Sequence, residues 1–282
     1  MHLLGCDGAF SASDYVCHEG MRSPVFEGEN PRACISVVLA GTFHARSSQG
    51  AVLVGPGALL LGNASGAYEF RHVDDGGDRS IVFDYEEALL EEVAGSLGAR
   101  FQRGRAFGRA GVPASPDSVE AVMLAHEALR SGEAEALREA ALAVAGVALA
   151  AGRDGVGVAV EPSARQLRQV ARTVRYVEAH SAEDCSLDVL ADHAGLSSFH
   201  FLRVFRAMTG QTPRQFVIAT RLRAAATALR MTHERITEIA MDVGFGDLSH
   251  FTTSFTRAFG TSPRAYRQQE RARVRAPALL RP

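Results

Sequence analysis

The sequence predicts an α+β chain with a β-rich first part and an almost wholly helical second part. Three observations predict it. Short β-branched and aromatic runs separated by turn residues fill positions 34–85. Apolar residues at three- and four-residue spacing take over from Glu86 onward. One helical pattern is then written twice, from Leu187 and again from Ile236.

The β runs are CISVVLA, GAVLV, ALLL, AYEF and SIVFDY, between Cys34 and Tyr85. Gly, Asn, Asp and Pro separate them, which suggests a compact barrel or sandwich of short strands. The turn Gly55-Pro56-Gly57, between two apolar runs, resembles that of cupin barrels. Cupin metal sites use a closely spaced His pair with a carboxylate, whereas His44 and His72 stand apart here. A surface or core role is therefore expected for each, with no metal site. The missing pair also argues against a cupin-type isomerase or oxygenase.

EEALLEEVAGSLG, DSVEAVMLAHEALRS and EAEALREAALAVAGVALA follow as helices. Ser115-Pro116 is a helix-start signal, with Pro116 in the first turn. The Ala-rich face of Ala140–Ala151 allows close helix approach, either as a dimer seam or as an internal packing face. Gly152–Ser163 has linker composition. ARQLRQVARTVRYVEAH is then an amphipathic helix, with Leu167, Val170, Val174 and Val177 on one side.

A length of 282 residues accommodates two domains, each with its own core. Apolar residues make up 46% and charged residues 22%, which excludes a disordered chain. The net charge of −2 hides an asymmetry: 18 Arg face 10 acidic residues from Arg165 onward, against 12 and 22 before it. That split points to a polyanion-binding half. There is no Lys, so every long basic contact falls to Arg. Cys6, Cys17, Cys34 and Cys185 show neither metal spacing nor a disulfide framework. With no signal-peptide pattern at the start, a cytoplasmic protein with no membrane partner is expected.

The duplicated pattern is LDVLADHAGLSSFHFLRVFRAMTGQTPRQFV and ITEIAMDVGFGDLSHFTTSFTRAFGTSPRAYR. Each copy runs from a short helix, with Ala191 or Ala240 at a crossing, into a turn at Gly195 or Gly244. A large apolar residue follows, Leu196 or Phe245, then a capping residue, Ser197 or Asp247. The next helix carries an F-x-x-x-F stripe, Phe201/Phe205 or Phe251/Phe255. It stops at Gly210 or Gly260, and Thr212-Pro213 or Ser262-Pro263 starts another helix. This is the helix-turn-helix design, whose second helix lies in the major groove.

With these motifs, the stretch from about Leu167 to Arg271 resembles the DNA-binding region of the AraC/XylS family of transcription regulators. The resemblance implies a cupin-like β-barrel with helices, then an all-α domain with two helix-turn-helix units joined by a linking helix. The boundaries are placed at 1–112 for a sensor barrel, 113–160 for a helical dimerisation and linker region, and 161–282 for the DNA-binding domain. Few contacts are expected across the linker. Helical periodicity turns Ser198, Phe199, Leu202, Arg203 and Arg206 outward in the first unit. In the second it turns out Leu248, Ser249, Thr252, Thr253 and Thr256, with Arg257 further along. Arg203 is the candidate for a bidentate bond to guanine, and Arg206 and Arg257 for phosphate. His200 and His250 are read as packing or phosphate-contact residues. The implied partners are double-stranded promoter DNA, RNA polymerase, a second copy of the chain and a small-molecule effector in the N-terminal half. No catalytic residue, cofactor or metal ligand is expected.

Overall fold

The computed structural model describes residues 1–115, 118–151 and 162–275. Pro116 and the Gly-rich stretch 152–161 lie outside them. Ten strands are described: β1 His2–Cys6, β2 Phe10–Cys17, β3 Phe26–Glu29, β4 Ala33–Ala40, β5 Phe43–Ser47, β6 Gly50–Val54, β7 Leu59–Gly62, β8 Ala67–His72, β9 Asp78–Tyr85 and β10 Gly111–Val112. They form an antiparallel six-stranded sheet, ordered β1-β2-β9-β4-β7-β10, and an antiparallel four-stranded sheet, β3-β8-β5-β6.

All five expected runs are strands. The others escape a sequence reading because they are short or poor in large apolar side chains. β2 reads FSASDYVC, yet it pairs along its whole length with β9, from Phe10 opposite Tyr85 to Cys17 opposite Asp78. Its period of two divides the six-stranded sheet. One face, with Ala12, Ile35, Val37, Ile81, Phe83 and Tyr85, is buried and apolar. The alternate positions mix small or polar side chains, Ser11, Ser13, Cys34, Ser36, Ser80 and Asp84, with Val38, Leu60 and Val82. Asp84 accepts a bond from Ser11 Oγ at 3.4 Å. Burial pushes the Cys34 thiol up to about 12, so it stays protonated and inert.

The apolar face is covered by α1 Glu87–Ser96, α2 Val119–Ser131 and α3 Ala134–Ala150. Ala140, Ala141, Val144, Ala145 and Ala148 of α3 are all buried there. Small side chains let the helix approach α2 and the sheet closely, and Tyr85 Oη donates to the Ala141 carbonyl at 2.8 Å. The Ala-rich face is therefore an internal packing face, not a dimer seam.

The remaining described elements are helices: α4 Ala164–His180, α5 Leu187–Ala194, α6 Ser198–Thr209, α7 Pro213–Met231, α8 Ile236–Asp242, α9 Leu248–Phe259 and α10 Pro263–Arg275. Capping boxes start α4 (Ser163 with Gln166) and α7 (Thr212 with Gln215).

The expectation of few contacts between the halves is not met. Val38, Phe43, Leu53 and Val54 of the sheets and Val73 of the β8–β9 loop share one buried cluster with Leu167, Val170 and Val174 of α4 and with Phe201 and Phe205 of α6. Val119 and Met123 of α2 enter the core of the second unit beside Leu222, Phe251 and Phe255. Arg175 lies 3.5 Å from Asp74, and Arg230 pairs with both Glu127 and Glu270. Linker composition reports how freely a chain can turn. It does not report which apolar faces remain to be covered.

Burial holds His44, His126 and His193 below the ordinary histidine value of 6.5; for His126 the Arg223 and Arg230 guanidinium groups add to it. A histidine depressed in the fold binds its proton more readily once unfolded, so acidification favours unfolding. The melting temperature of the full chain is expected to be level above about pH 7 and to fall as pH drops below 6.5. His126→Gln should flatten that slope. Melts across pH 5.5–8 check this, and a melting temperature that rises on acidification would refute it.

Candidate nucleic-acid interface

Two equivalent helix-turn-helix units stand in the helical half. In the first, α5 turns through Gly195, at φ +67°, into α6. In the second, α8 turns through Gly244, at φ +96°, into α9. At Gly244 a Cβ would stand 2.8 Å from the backbone of Ala182, so glycine is needed for space as well as for backbone angle. Ala191 and Ala240 are buried at the crossings. Ser197 Oγ accepts the His200 amide at 3.4 Å, and the Asp247 carboxylate accepts the Ser249 and His250 amides at 3.1 and 2.8 Å. Those amides hold the Asp247 carboxyl below the usual carboxylate range.

Burial separates two faces on each second helix. Phe201, Val204, Phe205 and Met208 of α6 are buried, with Phe201 and Phe205 rings 5.4 Å apart. Phe199, Arg203 and Arg206 are exposed, and Ser198 and Leu202 are half-buried at the edge. Phe199 is 78% exposed, which no packing demand explains. Ser198 is committed locally, its hydroxyl donating to Asp188 of α5. In α9, Phe251, Phe255 and Phe259 are buried; Leu248, Ser249, Thr253, Thr256 and Arg257 are exposed, and Thr252 is half-buried. Of these outward residues of α9 only Arg257 is a cation.

The arginines divide into two sets. Arg221 donates to the Ser181 and Glu183 carbonyls, Arg223 to Glu178 at 2.6 Å, and Arg230 is paired as above. These three hold α7 to its neighbours. Arg203, Arg206 and Arg257 have no ion pair among the described residues. A further set was missed in the sequence. Arg165, Arg168, Arg172 and Arg175 lie along the exposed side of α4 and line a cleft of about 630 Å³ with Asp74 and Asp75 of the β8–β9 loop. Their three- and four-residue spacing, opposite Leu167 and Val170, was the available signal.

Each histidine of the duplicated motif stays within its own unit. The His250 ring meets Phe245 edge-on at 5.5 Å. His200 Nε2 is buried without a hydrogen-bond partner. The expectation that His72 stands apart is corrected: its Nε2 lies 3.5 Å from Cys17 Sγ, and its Nδ1 lies 3.6 Å from Asp78 Oδ1. Strand register brings these residues together from positions too far apart in sequence to form a motif.

The profile of a helix-turn-helix domain family matches residues 190–269, from within α5 into α10. Over 103 residues the chain is 33% identical to the regulatory protein SoxS of Salmonella typhimurium, covering 36% of this chain and 96% of that protein. The chain belongs to the AraC/XylS family. It is also 42% identical over 93 residues to the transcriptional activator RhaS of Enterobacter sp. strain 638, covering 33% of this chain. That match spans only 34% of RhaS. A solved DNA-binding domain of AdpA, in complex with a target DNA, is 33% identical and covers 37% of this chain and 95% of that one, at a TM-score of 0.36. The matched family region contains both units and the linking α7. The two sheets, α1–α3 and the α4 arginines lie outside it.

Phe205 touches Phe201 and, at 6.0 Å between ring centres, Phe216 of α7, and it is 1% exposed. Phe205→Ala leaves a cavity there and is expected to cost about 3–5 kcal/mol of folding stability. Denaturant melts of the full chain measure it. A loss below about 1 kcal/mol would mean that α6 has its faces the other way round.

Proposed function

We propose that this chain is a sequence-specific regulator of transcription that reads double-stranded promoter DNA with α6 and α9 in the major groove. The observation that carries this reading is the pair of equivalent helices, each with its phenylalanines buried and its predicted reading face outward. Arg203 is assigned to guanine, and Phe199 and Leu202 to thymine methyls. Arg206 and Arg257 are assigned to phosphates. Leu248, Ser249, Thr252 and Thr253 give α9 an uncharged readout, with Ser198 at the edge of the α6 surface. The linking α7 has 19 residues and so a length of about 28 Å. That suits two helices placed roughly one duplex turn apart, about 34 Å.

The N-terminal part, 1–112, is assigned as a cupin-like sensor, with 113–160 as its helical extension and 161–282 as the DNA-binding domain. A face of the six-stranded sheet that mixes Cys34, Ser36 and Asp84 with Val38, Leu60 and Val82 suits a small-molecule effector with both polar and apolar groups. The buried cluster between the sheets, α4 and α6 gives such an effector a route to the first reading helix. An activating role follows the RhaS relatives, which are named transcriptional activators. An activator at a promoter has RNA polymerase as its partner. Self-association as a homodimer is assigned to the outward side of α3, where Leu142 is exposed.

DNA fragments selected by the purified full chain test the central reading. A defined site should emerge, and affinity for it should fall steeply with salt as arginine–phosphate contacts release counterions. Arg203→Ala should leave the melting temperature nearly unchanged, cost about 1–3 kcal/mol at the selected site and relax preference at one base position. Binding that is unaffected by Arg203→Ala would withdraw the α6 assignment. Failure to select any site would withdraw the proposal.

A further inference from the structure

We propose that Cys17, His72 and Asp78 form a binding site for a borderline divalent cation of the zinc type, at one end of the two-sheet domain. Cys17 ends β2, His72 ends β8 and Asp78 begins β9, so three strands each deliver one side chain to the same point. One donor atom from each lies within 4.8 Å of the other two. The backbone makes this placement specific. Cys17 and Asp78 are register partners in the β2–β9 ladder. Gly77, at φ +65°, lets the β8–β9 loop press against the end of β2, where a Cβ would stand 2.3 Å from the Cys17 carbonyl oxygen.

The donor set decides the chemistry. Thiolate, imidazole and carboxylate together suit zinc, whereas hard cations such as magnesium and calcium take oxygen alone. Tetrahedral zinc with ordinary bond lengths sets sulfur and nitrogen about 3.6 Å apart; here Cys17 Sγ and His72 Nε2 are 3.5 Å apart. The His72 and Asp78 side chains are 12% and 8% exposed, and Cys17 is half-buried, so the donors are partly desolvated. An activated-thiol relay fits less well. Thiol and carboxylate lie nearest different ring nitrogens, Nε2 and Nδ1, but a relay needs them on opposite sides of the ring, farther apart than the 4.8 Å that bounds the three donors here. On loading, the Cys17 thiol gives its proton to solvent, and thiolate and carboxylate together balance the dication. Three protein donors leave the fourth position open to water or another donor. The loop between His72 and Asp78 also holds Asp74, the residue that meets Arg175 of α4, so the site adjoins a contact between the two halves.

The test uses the full chain, freed of metal, with Zn²⁺ followed by titration calorimetry and Co²⁺ as a spectroscopic stand-in. One equivalent of Co²⁺ should give a thiolate-to-metal charge-transfer band. Cys17→Ser should abolish that band, and Cys185→Ser should keep it. Asp78→Asn should weaken Zn²⁺ binding by at least about tenfold. Zn²⁺ should also slow alkylation of Cys17 in the unmutated chain, mapped by peptide mass spectrometry, which needs no variant to fold. A wild-type chain without the band, a band that survives Cys17→Ser, or alkylation of Cys17 indifferent to Zn²⁺ would each overturn the proposal.

Discussion

The helical half depends on the burial of four phenylalanines, Phe201 and Phe205 in one unit and Phe251 and Phe255 in the other. All four are fully buried, and the rings within each pair stand 5.4 and 5.6 Å apart. On a 3.6-residue helix, burying positions four apart leaves no freedom about which positions face out. The face proposed to read DNA is thus the complement of the packing face. A lost phenylalanine damages both, whereas a lost outward arginine damages only one.

The two units bury their phenylalanines against different neighbours. The first merges with the sheets through Phe43, Leu53 and Val54. The second merges with α2 through Val119 and Met123. Both parts of the N-terminal half therefore reach the DNA-binding region, each by its own apolar contact. Such contacts are packed and volume-sensitive, so neither half can repack at these seams without disturbing the other. The exposed faces of α6 and α9 point away from these seams, so the N-terminal half leaves their outward residues uncovered.

A chain without lysine must divide its arginines between structure and recognition. Arg221, Arg223 and Arg230 hold α7, with their charges spent on carbonyls and on Glu178, Glu127 and Glu270. The planar fork of arginine suits that task, since one side chain serves several acceptors in a fixed geometry. Arg203, Arg206 and Arg257 keep their forks free of ion pairs among the described residues, which is the condition for contacting a polyanion. The same residue type does opposite work according to the face it occupies.

Local signals carried much of this in the sequence. The Gly turns, the capping residues, Pro213 and Pro263 at helix starts, and the phenylalanine stripes are all short-range features, and each has a local physical cause. They placed the helices from α4 onward and both faces of α6 and α9. Strands with dense apolar runs are legible for the same reason, and β2, whose partner is β9 far along the chain, is not. The burial of the Ala-rich face of α3 was left open, because a small-residue face looks the same whether it meets a sheet or a second chain. The junction between the halves was misjudged, since linker composition says nothing about distant apolar surfaces. The meeting of Cys17, His72 and Asp78 was decided by tertiary structure alone. It arises from strand register and a tight Gly77 turn, and register is a property of paired strands that no single stretch of sequence displays.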